Sequence, residues 1–249
     1  MQTTDQPLSG KVAIVTGAGR GIGKAIAHAY AKAGAAVCCA ARTEAALRDT
    51  VQDIVAAGGQ GLAVPTDVTQ LAAVKQMVRV TVETFGGLDI MVINAGVSAD
   101  GRHVEDSDPE EWRTTLDVNL FGAYYCAQAA IPALKQRGAG KIITVGSGIG
   151  HHGLPGSSAY ACSKAGLWML TRVLAQELWP HNISVNELIP GPVVTSMAGA
   201  QAAQRQGVFG IEGEWVKTPE EVIPLALFLA TQPPIGPTAQ SFSLMRRDN

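Results

Sequence analysis

Tyr160-Ala-Cys-Ser-Lys164 sets a phenol and an amine four residues apart. In a helix the two side chains share one face. A phenol has an ordinary pKa near 10, too high for a good base at neutral pH. A neighbouring ammonium favours the tyrosinate. Bringing the phenol near neutrality takes about 4 kcal/mol of differential interaction. Such a pair can give up and recover a proton. Ser147 lies 13 residues before Tyr160, within Gly146-Ser147-Gly148, and Asn119 lies in Asp117-Val-Asn-Leu-Phe-Gly122. Taken singly, Tyr160 also reads as a packed helix aromatic, Lys164 as a solvated charge and Ser147 as the cap of a turn. Leu167, Leu170, Leu174 and Leu178 form a separate apolar stripe, so the core face of that helix does not need Tyr160.

A second chemical feature is Val12-Ala-Ile-Val-Thr-Gly-Ala-Gly-Arg-Gly-Ile-Gly23, which joins a strand-like run to a helix-like one. Glycines at 17, 21 and 23 allow positive φ and close backbone approach. The helix start that follows offers free N–H groups and a positive dipole end to a phosphate. Neither G-x-G-x-x-G nor a P-loop fits, because Ile22 stands where both need glycine. The pattern is T-G-x-x-x-G-x-G.

The elements that must position these groups alternate. Strands are expected at Lys11–Thr16, Ala36–Ala41, Gly61–Val64, Ile90–Asn94, Lys141–Val145, Ser184–Ile189 and Gln240–Leu244. Helices are expected at Ile22–Ala33, Glu44–Ala57, Leu71–Phe85, Glu110–Gln136 (bent near Pro132), Ser158–Trp179 and Glu220–Ala230. The strands are Val, Ile and Ala runs without polar alternation, as when helices cover both faces. The fold class is therefore α/β: a Rossmann-like, doubly wound parallel sheet of about seven strands with helices on both faces. No linker divides the chain, so 1–249 reads as one domain. The stretch 194–216 follows a strand's carboxyl end, has weak periodicity and several glycines, and reads as a substrate lid.

Composition bounds the rest. The 249 residues are 47% hydrophobic and 16% charged, with net charge −2. A nearly neutral chain has no global electrostatic reason to bind nucleic acid or an anionic membrane. The longest apolar runs, such as Val12–Val15 and Val37–Ala41, fall far short of the roughly 20 residues that span a bilayer. The polar start, Met1 to Ser9, lacks the apolar core of a signal peptide. Cys38, Cys39, Cys126 and Cys162 form no C-x-x-C pair, so neither a disulfide framework nor a zinc site is expected, and a cytoplasmic location is. His151 and His152 are adjacent, which is not metal-ligand spacing, and no acidic partner for them is evident. No metal is expected.

The glycine turn, with Leu8-Ser9-Gly10-Lys11 leading into it, resembles the short-chain dehydrogenase/reductase family, and the resemblance spans nearly the whole chain. In that family the turn holds the pyrophosphate of a nicotinamide dinucleotide, here through Gly17, Gly19, Arg20, Gly21, Ile22 and Gly23. NAD-preferring relatives place an Asp after the second strand, whereas this chain has Ala41 followed by Arg42. Arg20 and Arg42, with no acid, favour a 2′-phosphate and hence NADP(H) over NAD(H). Asp67 and Val68 resemble the pair that contacts adenine, although Asp67 or Thr69 also reads as a helix cap. Asn94, Ala95 and Gly96 resemble the segment near the cofactor, with Ile93 in place of a usual Asn. Pro190, Gly191, Val193 and Thr195 resemble the segment that meets the nicotinamide carboxamide.

The resemblance also implies the roles of four residues. Tyr160 is the acid/base, Ser147 holds the carbonyl oxygen, Lys164 binds the nicotinamide ribose, and Asn119 anchors a water that links Lys164 to solvent. The implied reaction is reversible reduction of a ketone or aldehyde by hydride transfer. The substrate pocket is expected to include Ser147, Ile149, His151, Leu154, Tyr160 and Met197, mostly apolar groups suited to a neutral small molecule. Relatives are commonly homotetramers. Two alternatives remain open: a 3-oxoacyl-[acyl-carrier-protein] reductase, for which Arg102, Arg113, Lys135 and Arg137 are the loose candidate patch, and a non-catalytic dinucleotide sensor. Arg246 and Arg247, near the chain end, read as solvated or as pairing with a neighbouring subunit.

Overall fold

The computed structural model describes residues 6–195 and 215–245. Met197, most of the expected lid, Arg246 and Arg247 lie outside the described residues. The strands are β1 (Val12–Thr16), β2 (Ala36–Ala41), β3 (Gln60–Pro65), β4 (Ile90–Ile93), β5 (Gly140–Val145), β6 (Ile183–Ile189) and β7 (Ser241–Ser243). They form one seven-stranded sheet in the order β3-β2-β1-β4-β5-β6-β7, and every pairing is parallel. The helices are α1 (Gly21–Lys32), α2 (Glu44–Ala56), α3 (Leu71–Phe85), α4 (Pro109–Leu116), α5 (Gly122–Gln136), α6 (Ile149–His152), α7 (Ser158–Leu178) and α8 (Ile223–Thr231). The winding reverses between β1 and β4, and a crevice opens there at the carboxyl ends of the strands.

Every residue of β1, β4, β5 and β6 is buried. Two apolar layers explain this. Ala13 and Val15 of β1 pack with Ile26 and Tyr30 of α1 and with Ala226 and Leu229 of α8. Ile14, between them, packs on the other side with Met77 of α3, Leu134 of α5 and Leu174 and Leu178 of α7. A strand buried on both faces cannot alternate with polar residues. Tyr30, fully buried in the first layer, keeps its hydroxyl bonded: Oη donates to the Ala226 carbonyl at 2.8 Å.

The stretch expected as one helix over Glu110–Gln136 is three pieces. Asp108 caps α4 by accepting from the Glu110 and Glu111 amides, a π-helical turn spans Asp117–Phe121, and α5 follows with Pro132 inside it. A single wide turn inserts too few residues to disturb a 3.6-residue pattern, so periodicity does not register it. The fourth strand ends at Ile93, one residue early, which leaves Asn94 free to turn. The short helix α6 was not anticipated. Among the described residues no helix is long and apolar enough to cross a membrane, and all four cysteines are unpaired.

Tyr30→Phe removes one buried hydrogen bond without changing shape. It should cost about 1 kcal/mol, read as a lower urea midpoint at unchanged slope. An unchanged midpoint would mean that this contact between α1 and α8 contributes nothing.

Candidate active site

The glycine turn is pinned where β1 and β4 diverge. Thr16 Oγ1 accepts from the amides of Asn94 at 3.0 Å and Ala95 at 3.1 Å, and Asn94 Nδ2 donates to the Thr16 carbonyl at 2.8 Å. Gly17 has φ +68°, and a Cβ on it would stand 2.7 Å from Asn94 Nδ2. A Cβ on Gly23 would stand 2.4 Å from the Gly17 carbonyl oxygen. The turn closes only without these side chains. Arg20, the N-cap of α1, makes no capping bond, and the first turn carries no acid. Its amides and positive dipole end are therefore left for an anion.

A cavity of about 540 Å³ runs from this turn across the ends of the strands, a volume typical of ligand sites. It is lined by Gly17, Gly19, Arg20, Gly21, Ile22, Gly23, Arg42, Asp67, Val68, Asn94, Ala95, Gly96, Ser147, Ile149, Tyr160, Lys164, Pro190, Gly191, Val193 and Thr195. Asn119 is buried behind it. His151 and Leu154, expected to face substrate, are not part of the lining. Met245, which sequence reasoning missed, does line it, and its Sδ would lie 2.1 Å from a Cβ on Gly148. Its one signal was its place just past the end of the last strand.

Three separate elements meet at Lys164. Its Nζ donates to the Val145 carbonyl at the end of β5 at 2.8 Å and lies 5.6 Å from the Tyr160 ring centroid. Asn119, in the π turn, accepts from the Val97 amide and donates to the Val97 carbonyl, both at 2.8 Å. Its Nδ2 also donates to Ser163 Oγ at 3.0 Å, and Ser163 Oγ donates to the Tyr160 carbonyl at 2.8 Å. Ser147, just beyond β5, accepts from the Ile149 amide at 3.3 Å and is hydrogen-bonded to the Tyr160 side chain.

Burial governs the electrostatics. It raises the Tyr160 phenol above its ordinary value, and the bond to Ser147 opposes this less strongly. It pushes the Lys164 amine down to about 8, against the opposing field of Glu187. The expected lowering of the phenol by its neighbour is thus not found in the protein alone. The amine points at the Val145 carbonyl rather than the hydroxyl, and loss of water disfavours both charged forms.

Arg20 and Arg42 are exposed at the mouth of the cavity, and among the described residues neither enters an ion pair. Asp67 Oδ1 accepts from the Thr69 amide at 3.0 Å and its hydroxyl at 2.8 Å, while Gln70 takes the N-cap of α3. Asp67 therefore closes a turn and caps no helix. His151 does have an acidic partner: its Nε2 lies 3.1 Å from Glu187 Oε2. The two are 36 residues apart, so no local spacing could reveal the pair. In the loose basic patch, Arg102 pairs with Asp100 at 2.9 Å and with Glu111, Arg113 lies 4.0 Å from Glu110, and Arg137 pairs with Asp89 at 2.9 Å. Among the described residues no group of three or more His, Cys, Asp or Glu could hold a metal ion.

The family model for short chain dehydrogenases matches residues 11–206. The chain is 38% identical over 228 residues to the short-chain reductase protein NovJ of Streptomyces niveus, covering 88% of this chain and 86% of that one. It is 35% identical over 239 residues to a 3-oxoacyl-[acyl-carrier-protein] reductase of Synechocystis, covering 95% and 96%. Among solved structures, a short-chain type dehydrogenase/reductase from Mycobacterium marinum superposes with a TM-score of 0.86 at 35% identity, over 96% of this chain and 95% of that one.

The depressed Lys164 has a consequence for stability. From about pH 8 to the ordinary lysine value near 10.4, the unfolded chain binds more protons than the folded one. The contribution of Lys164 to stability therefore rises with pH across that window. Between pH 8 and pH 10, urea unfolding of the wild type relative to Lys164→Met should shift in favour of the wild type by about 2 kcal/mol. A difference independent of pH would show that the amine is not held below its ordinary value.

Proposed function

The chain belongs to the short-chain dehydrogenase/reductase family, and on that premise we propose that it is an NADP(H)-dependent oxidoreductase that reversibly reduces a ketone or aldehyde to an alcohol. The observation that carries this reading is the convergence of Ser147, Tyr160 and Lys164 in one cavity with the bare glycine turn. The cavity suits the dinucleotide: Gly17 and Gly23 pack too closely on Asn94 and on the turn's own backbone to carry a Cβ, and the tight turn they close lines the cavity where a pyrophosphate would lie. When bound, the nicotinamide supplies the hydride for reduction and accepts it in the reverse direction. Arg20 and Arg42 would hold the 2′-phosphate through forked, charge-assisted bonds, and Ala41 sets no carboxylate against it. Asp67 and Val68 would flank the adenine. Asn94, Ala95 and Gly96 would border the central part of the dinucleotide, Lys164 would bind the nicotinamide ribose hydroxyls, and Pro190, Gly191, Val193 and Thr195 would meet the carboxamide.

The chain's own groups then divide the work. Burial keeps the Tyr160 phenol protonated at neutral pH, which suits it to donate a proton to the oxygen of a carbonyl being reduced. Ser147 Oγ donates to the same oxygen and stabilises the charge that develops there. Asn119, bonded to Val97 and Ser163, holds the start of α7 in register with the β4 end. Among the described residues the charged lining side chains other than Lys164 are Arg20, Arg42 and Asp67, all at the dinucleotide end. Ile149 and Met245 leave the other end apolar, which supports a neutral carbonyl substrate.

The Synechocystis relative favours a second reading, reduction of a 3-oxoacyl thioester. Against a docking patch for an acidic carrier, Arg102, Arg113 and Arg137 are already engaged by carboxylates of the chain. Rates on a free diketone and on a 3-oxoacyl thioester, followed through NADPH absorbance, separate the two readings. Tyr124 on α5 and Met169 and Val173 on α7 are exposed apolar side chains, in keeping with a homotetramer built through these helices.

Tyr160→Phe is expected to lower carbonyl reduction at least ~100-fold while NADPH binding, followed by fluorescence, stays nearly intact. Comparable turnover in that variant would remove Tyr160 as the proton donor. Arg42→Ala should weaken NADPH about tenfold and leave NADH almost untouched. An equal loss for both cofactors would sink the argument for the 2′-phosphate.

A further inference from the structure

Glu187 lies in the middle of β6 and is 0% exposed. It does not line the cavity. A carboxylate taken wholly out of water is costly unless it is bonded, and this one is. His151 Nε2 lies 3.1 Å from Oε2 and 3.3 Å from Oε1, and Ser241 Oγ on β7 donates to Oε2. Gly146 makes room for it, since a Cβ there would stand 1.9 Å from Oε1.

These contacts bracket the short segment that carries Ser147. Gly146 directly precedes Ser147, and His151 lies in α6, the short helix that directly follows Gly148. The His151 ring is itself held edge-on against Trp168 of α7, with centroids 5.1 Å apart, and the Arg172 guanidinium lies 4.3 Å over the other ring. Glu187 is therefore bonded to one end of the segment that presents Ser147, at His151, and packed against the other, at Gly146.

We propose that Glu187 is a positioning residue, which acts through His151 and against Gly146 to fix the Ser147 hydroxyl relative to Tyr160. This rests on the reading of Ser147 as the group that holds the carbonyl oxygen. It also gives His151 a role in place of the substrate contact expected for it. The field of Glu187 at Lys164 works in the same direction, because it favours the ammonium. An ångström of misplacement at a reacting centre is enough to lower a rate by about two orders of magnitude.

The test uses Glu187→Gln, His151→Ala, His151→Gln and the double variant Glu187→Gln/His151→Ala, with NADPH and a diketone. Glu187→Gln and His151→Ala should each lower kcat about tenfold or more with NADPH binding unchanged. The double variant should lose no more than the worse single one, since Glu187→Gln strips the bond of its charge assistance and His151→Ala removes it, so both act on the same link. His151→Gln, whose amide can still donate to Glu187, should recover most of the rate. A merely structural role would lower the melting temperature and leave kcat at the wild-type level, and that result overturns the proposal. So do losses that multiply in the double variant, or a His151→Gln no faster than His151→Ala. If Glu187→Gln does not fold, the comparison of His151→Ala with His151→Gln decides alone. No turnover by the wild type overturns both readings, whereas wild-type turnover with unaffected variants overturns the positioning role only.

Discussion

The amine of Lys164 sits where water hardly reaches, and the elements around it are arranged to make that tolerable. Burial works against its charge. The Val145 carbonyl accepts a hydrogen bond from it, and the field of Glu187 offsets part of the lost hydration. Holding that position takes β5, whose end presents the carbonyl, and α7, whose register is set by the bonds that join Ser163, Asn119 and the Val97 backbone. The same loss of water raises the neighbouring phenol. A phenol raised above its ordinary value and an amine held below its own thus follow from one cause, the shielding of a single corner of the sheet.

That corner exists because the sheet is wound in both directions. The reversal between β1 and β4 parts the loops on either side, and the space is bridged by Thr16, Asn94 and Ala95. The glycine turn, Asn94 and Ser147 lie at or just beyond strand ends and Tyr160 and Lys164 ride on α7 beside them, while the strands themselves are given over to packing. Glu187 departs from this division. It is a charge placed inside a strand, bonded to a histidine and a serine that come from other segments, and a hydrophobic side chain would fill its place at less cost.

Much of this was legible in advance. The uninterrupted apolar runs announced a sheet covered on both faces, and the glycines at 17, 21 and 23 announced a tight, closely packed turn. Tyr160 and Lys164 declared themselves as one helical face. What stayed hidden was either short or distant. The π turn at Asn119 changes the pattern by too little to be seen. The pairing of His151 with Glu187 spans 36 residues, and Met245 reaches the cavity only because β7 lies beside β6. The raised phenol of the protein alone was hidden too, because it depends on how much water the finished fold excludes.

Local sequence by itself determined the order of elements, the parallel winding and the types of side chain gathered at the strand ends, because those follow from periodicity and from the conformational freedom of individual glycines. Only the tertiary structure decided which groups touch, which way His151 turns and how strongly Tyr160 and Lys164 are desolvated. Contacts between segments far apart in the chain, and the dielectric they create, are properties of the packed whole.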